Sequence, residues 1–139
     1  MTKTGTFLIW AFQHCGVSPD IKTCAFADWK FLPKQQGLYS IWQDNVCIYV
    51  GQGGGHTGIR GRFPHHHNKA YAIQQSGTSH GRAWVEARTG LAWQPETWTV
   101  EYFLEPSAVR RTFLEGAMML ELDPLCNDEN SEDRKSIAK

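Results

Sequence analysis

The sequence predicts an α/β fold, on three observations. Two short runs rich in β-branched and aromatic residues, 37–42 and 46–51, flank Gln43-Asp44-Asn45. A third run, 97–104, alternates so that Trp98, Val100, Tyr102 and Leu104 share one side. The stretches between and after these runs have helical spacing instead.

Each element has its own signal. In residues 1–33, Thr4 or Thr6 can cap a short helix through Phe12, with Gly16 and Pro19 to stop it. The first two runs are adjacent strands, because Asp44 and Asn45 tolerate the left-handed conformations of a tight turn. Leu38 and Trp42 share a core face with Val46, Ile48 and Val50 only if an odd-length loop joins the strands. Tyr39 then lies opposite Tyr49 on the other face. After the flexible loop Gly53-Gly54-Gly55, a helix is expected from about Gly61 to Gln75 and a short one over 82–88. The last helix starts at Pro106-Ser107 and carries Val109, Phe113, Ala117 and Leu120 at helical spacing as far as Asp123-Pro124. From Asp128 the chain is polar.

Composition bounds the possible functions. With 139 residues the chain has the size of one domain, and an apolar share of 41 % supports a packed core. Disordered, collagenous and membrane classes do not fit. The run 7–12 is too short to span a bilayer, and Gln13-His14-Cys15 lacks the small residues of a signal cleavage site. Cys15, Cys24, Cys47 and Cys126 form no C-x-x-C pair, so reduced thiols in the cytoplasm fit best. His14, Cys15 and Cys24 match no common zinc spacing. The net charge is zero, yet Arg60, Arg62, Lys69, Arg82 and Arg88 face Glu86 alone in the middle of the chain. Such a basic middle can meet phosphates.

Gly37-Leu38-Tyr39 and Tyr49-Val50-Gly51 resemble the two half-motifs of the GIY-YIG nuclease family. Three further matches follow in order: Arg62 with His66 four residues later on the first helix, Glu115 on the last helix, and Asn127 after Pro124. The resemblance covers roughly residues 37–127. It implies an α/β sandwich around a three-stranded antiparallel sheet flanked by helices. Residues 1–36 would be an N-terminal extension packed on that core, and 128–139 a polar, flexible tail.

The resemblance also implies roles. Phosphodiester hydrolysis needs an activated water, neutralised phosphate charge and help for the leaving oxygen. Tyr39 would activate the water, with His66 as a partner, and Tyr49 would order the water or phosphate. Arg62 would stabilise phosphate charge. Glu115 would hold one magnesium or manganese ion that otherwise keeps its waters. Asn127 would hold the site or contact substrate. Arg60, Lys69, Arg82, Arg88 and His56 are the candidate nucleic-acid contacts.

Two departures stand out. Pro64 lies between Arg62 and His66, so the helix must begin near Arg62 or be distorted; Arg60, His65 or His67 are the substitutes. Gln52 stands where some relatives have a lysine, and the glycines at both half-motifs let backbone approach closely. The expected partner is DNA, with a homo-oligomer, joined through the apolar run 7–12, if double strands are cut. The alternative is a nucleic-acid-binding module that keeps the fold without catalysis.

Overall fold

The central hairpin closes through a two-residue turn, Asp44-Asn45, with Asp44 in the left-handed region at φ 56°. The protein is described by a computed structural model over residues 20–75, 77 and 79–127. Its strands are β1 (Lys22–Ala25), β2 (Gly37–Gln43), β3 (Val46–Gly53) and β4 (Thr99–Leu104). Its helices are α1 (Phe63–Gln75), α2 (His80–Thr89) and α3 (Ala108–Leu122), with short 3-10 segments at Phe26–Phe31, Arg60–Arg62 and Pro95–Thr97. The helix expected before Phe12, the apolar run 7–12 and the polar tail lie outside the described residues.

The expected odd-length loop is absent, and a β-bulge does its work. Ile41 pairs with Tyr49 and Trp42 with Cys47, so Ile48 is the extra residue. The bulge changes the parity within the strand. Cys47 and Val50 therefore join Leu38 and Trp42 on one face, while Val46 and Ile48 move to the face of Tyr39 and Tyr49. That differs from the expected shared face of Val46, Ile48 and Val50. Helices cover both faces of the sheet, so apolar residues are accepted on either side. Tyr39 and Tyr49 do stand side by side, with ring centroids 6.2 Å apart and planes nearly parallel. They are diagonal neighbours, because the direct partner of Tyr39 is Gly51.

The sheet has four antiparallel strands in the order β1-β4-β2-β3, which corrects the three-strand expectation. The additional strand, Lys22-Thr23-Cys24-Ala25, is largely exposed and shows no apolar alternation. Its register with β4, from Lys22↔Tyr102 to Ala25↔Thr99, covers an edge that would otherwise be unpaired. Phe26 and Leu32, just beyond it, are fully buried in the core. Strand β4 itself starts at Thr99, since Thr97 closes a 3-10 turn, and Leu104 at its end is exposed.

One apolar cluster joins Leu38, Trp42, Val50 and Phe103 to Leu114, Met118 and Leu122 of α3. The other joins Tyr39, Ile41, Ile48 and Val100 to Phe26, Phe63, Val85, Trp93 and Trp98. Helix α3 thus buries Leu114, Met118 and Leu122, whereas Val109, Phe113 and Leu120 of the expected stripe point outward, Leu120 at 88 % exposure. Both stripes are apolar, and the one that meets Trp42 and Phe103 is the one buried. Ser107 caps α3, its hydroxyl accepting from the Arg110 N–H at 3.2 Å. No helix among the described residues is long and apolar enough to cross a membrane.

Candidate active site

Helix α1 begins at Phe63, so Pro64 is its second residue, where a missing N–H costs no helical bond. The 3-10 turn Arg60–Arg62 leads directly into it, and Phe63 at the junction has right-handed helical φ and ψ. Arg62 and His66 therefore keep their four-residue spacing on one side. That side faces the tyrosines. His66 lies 4.4 Å from Tyr49 between ring centroids, and its Nε2 is 2.7 Å from the Tyr39 hydroxyl.

The Tyr39 hydroxyl is the focus of the site. The residue is fully buried, and its ring crosses the neighbouring strand above Gly51. A Cβ at Gly51 would stand 2.5 Å from the hydroxyl oxygen and 2.6 Å from Cζ. The glycine after Tyr49 thus makes room for a side chain, not for approaching backbone as expected. At Gly37 the close neighbour is backbone, the carbonyl of Phe103. Burial raises the Tyr39 pKa well above the ordinary phenol range, and Tyr49 and Glu115 add to this, while Arg62 opposes it. Tyr39 is accordingly a neutral phenol at neutral pH.

His66 is shifted to match. Burial first, then the positive charges of Arg62, His65 and Lys69, lower its pKa to about 4. The imidazole is thus neutral at pH 7 and has one acceptor nitrogen. Arg62 interacts with the hydroxyls of both Tyr39 and Tyr49. A guanidinium can only donate, so the tyrosine oxygens accept from it, and the Tyr39 O–H donates to Nε2 of His66 in the tautomer that carries its proton on Nδ1.

Glu115 reaches the same place from the opposite layer. It lies on α3, half-buried, close enough for its charge to raise the Tyr39 pKa. Gln52 Nε2 donates to its Oε1 at a long 3.4 Å. Gln52 is held in turn by Arg111, whose Nε donates to Gln52 Oε1 at 3.3 Å. Arg111 is buried at 4 % exposure and also donates to Gln36 and to the carbonyls of Glu105 and Pro106. Sequence reasoning missed Arg111. The signal was its position four residues before Glu115, which puts both on one helix side.

Asn127 has its amide committed. It accepts from the Val50 N–H at 2.7 Å and donates to the Val50 carbonyl at 2.6 Å. With Leu125 N–H on Cys47 and Cys126 N–H on Ile48, residues 125–127 cover the edge of β3 beside Tyr49. Asn127 mimics a strand residue and ties this segment to the bulge.

The structure brings Tyr39, Tyr49, Arg62 and His66 together, Glu115 accepts from Gln52 and acts on Tyr39 through its charge alone, and Asn127 secures the adjoining edge. Of the substitutes for Arg62 and His66, His65 lies beside His66 and lines the same pocket, while Arg60 and His67 are occupied elsewhere. Arg60 Nε donates to the Leu32 carbonyl at 2.6 Å, and His67 packs on Phe26 and Tyr71. The basic residues expected to meet nucleic acid diverge. Arg82 donates to the carbonyls of Ile73 and Gly77 and pairs with Glu86, so it joins α1 to α2. Lys69 borders a pocket that Arg62 and His66 also line. Arg88 and His56 are exposed, and His56 borders a different hollow near Lys34 and Pro106.

Among the described residues, no three His, Cys, Asp or Glu side chains group together as a metal cage. The donor set at this site is one carboxylate, which suits a hard cation that retains most of its waters. Comparison of the chain with protein-family models, with curated proteins and with solved structures finds no match.

Proposed function

We propose that this protein is a GIY-YIG-type endonuclease that hydrolyses DNA phosphodiester bonds, leaving 5′-phosphate and 3′-hydroxyl ends. The observation that carries this reading is the convergence on one buried hydroxyl. Tyr39 contacts His66 at 2.7 Å and interacts with Arg62, and the charge of Glu115 reaches it. A packing tyrosine needs none of these polar neighbours.

Arg62 would bind the phosphate and neutralise charge that grows as water attacks phosphorus. Tyr39 would take a proton from the attacking water while passing its own to His66. The bond from phosphorus to the 3′-oxygen breaks, and that oxygen takes a proton from solvent water to leave as the 3′-hydroxyl, while the proton on His66 returns to solvent. This relay requires no standing phenolate, which the raised Tyr39 pKa disfavours. Burial is the main cause of the low His66 pKa, and a phosphate anion against Arg62 would offset the second cause, the Arg62 charge, and so raise the basicity of the imidazole. Glu115 would hold magnesium or manganese, which supplies charge stabilisation at the phosphate and acidity to water.

One such site cuts one strand, so a double-strand break would call on a second copy of the chain. The reduced-thiol composition is in keeping with a cytoplasmic setting. Incubation of the protein with supercoiled plasmid, with magnesium and with a chelator, tests the proposal. Metal-dependent nicking is expected. Binding without nicking in magnesium or manganese would favour the non-catalytic module instead.

A further inference from the structure

Beside the cluster is a pocket of about 220 Å³. Arg62, His66 and Asn127 are among its lining residues, so its contents adjoin whatever Arg62 binds. Its lining also includes the apolar side chains of Ile73, Trp93 and Trp98. Both tryptophans are locked by the protein. Trp93 Nε1 donates to the Ala70 carbonyl at 2.9 Å, and Trp98 Nε1 donates to Gln43 Oε1 at 2.9 Å. Their polar atoms are spent and the rings are largely buried, so what borders the pocket is hydrocarbon. Gln43 is itself buried and fully engaged, accepting also from the Gln94 N–H and donating to Ala92 and Thr89. The wall is therefore preformed.

We infer that this pocket takes one unpaired nucleobase next to the phosphate being cut. A basic rim against an apolar wall, in which Trp93 and Trp98 meet edge to face at 82°, matches a base with its phosphate, the pairing that single-strand sites use. A base inside a duplex presents only its edge and must leave the stack to enter such a pocket. The preferred substrate is thus a strand with an unpaired nucleotide, not uniform duplex. This inference rests on the phosphodiester reading of the adjoining cluster.

The test is metal-free binding, followed by anisotropy of labelled duplexes in EDTA. Three duplexes are compared: fully paired, with one unpaired thymidine, and with one unpaired abasic residue, each also made with the unpaired strand as RNA. Stacking of one base supports an expectation of about tenfold tighter binding to the base-bearing bulge than to the abasic one, in DNA, RNA or both. Ile73→Trp, which fills the pocket, should remove that preference, and Ile73→Ala should keep it. Equal affinity for the base-bearing and abasic bulges in both backbones would overturn the inference without any variant. So would a preference that survives Ile73→Trp in a folded protein. Base preference without cleavage in magnesium keeps the pocket and rejects hydrolysis. Cleavage without base preference rejects the pocket alone.

Discussion

The ring of Tyr39 lies across Gly51, its partner on the adjacent strand, so closely that the glycine's missing side chain sets where the hydroxyl rests. Gly51→Ala should therefore displace Tyr39 from His66. Overpacking of this kind costs about 1–3 kcal/mol. Thermal melts of a double-mutant cycle check it. In a Tyr39→Leu background, where no hydroxyl meets the new methyl, the same change should cost less, the remainder coming from Tyr49 Cε1 at 2.9 Å. An undiminished cost there would show that Gly51 serves something other than Tyr39.

Tyr39→Phe removes one oxygen and keeps the ring. Loss of a positioned proton-transfer group lowers turnover about a hundred- to ten-thousandfold. The lost hydrogen bond should lower stability by only about 1 kcal/mol. Single-turnover cleavage and a denaturant melt on the same preparation separate the two effects. A variant keeping more than about half of wild-type turnover would remove Tyr39 from the chemistry.

His66 gives the site a pH signature. Its folded pKa of about 4 lies below the ordinary imidazole value of 6.5. As pH falls through 6.5, the unfolded chain takes up a proton before the folded one does. Stability is thus complete above about 6.5 and is lost progressively toward 4, by on the order of 3 kcal/mol. Comparison of wild type with His66→Gln should show this slope in wild type alone. An NMR titration of the His66 ring should centre near 4 in the free protein, and a midpoint near 6.5 would contradict the buried placement. The acidic limb of kcat/KM should follow the same group. Tyr39 has the opposite sign: burial keeps it neutral, so its contribution is lost only above about pH 10, where the unfolded phenol ionises.

Asn127→Ala should loosen the end of the 125–127 segment from β3 at Val50, with the Leu125 and Cys126 backbone bonds kept. It exposes two backbone groups of Val50 that the side chain now satisfies. The expected cost is about 1–3 kcal/mol, with faster hydrogen exchange at the Val50 amide. Unchanged exchange would show that the contact does not hold the edge.

The fold and site were legible where spacing alone carries the information. The four residues from Arg62 to His66 define one helix side, and Pro64 marks where that helix starts. The tyrosines stand side by side because the apolar pattern demands a change of parity. A loop and a bulge supply that change equally well, so the bulge at Ile48 was not legible. Neither was β1, since Lys22–Ala25 is held by backbone bonds to β4 and not by an apolar stripe. Helix α3 carries two apolar stripes, and only packing against Trp42 and Phe103 selects between them. Arg60 and Arg82 look like surface cations in sequence, yet their donors meet backbone carbonyls across the chain.

The rate of plasmid nicking in magnesium, wild type beside Glu115→Gln, tests the central claim most directly. The amide keeps the size of Glu115 and removes the charge that would hold the metal. Wild type should nick the plasmid, lose this activity in chelator and leave ends that ligase rejoins. Glu115→Gln should be slower by at least about a hundredfold. A folded wild-type protein that leaves plasmid intact across magnesium and manganese, or a Glu115→Gln variant that nicks as fast, would contradict the account.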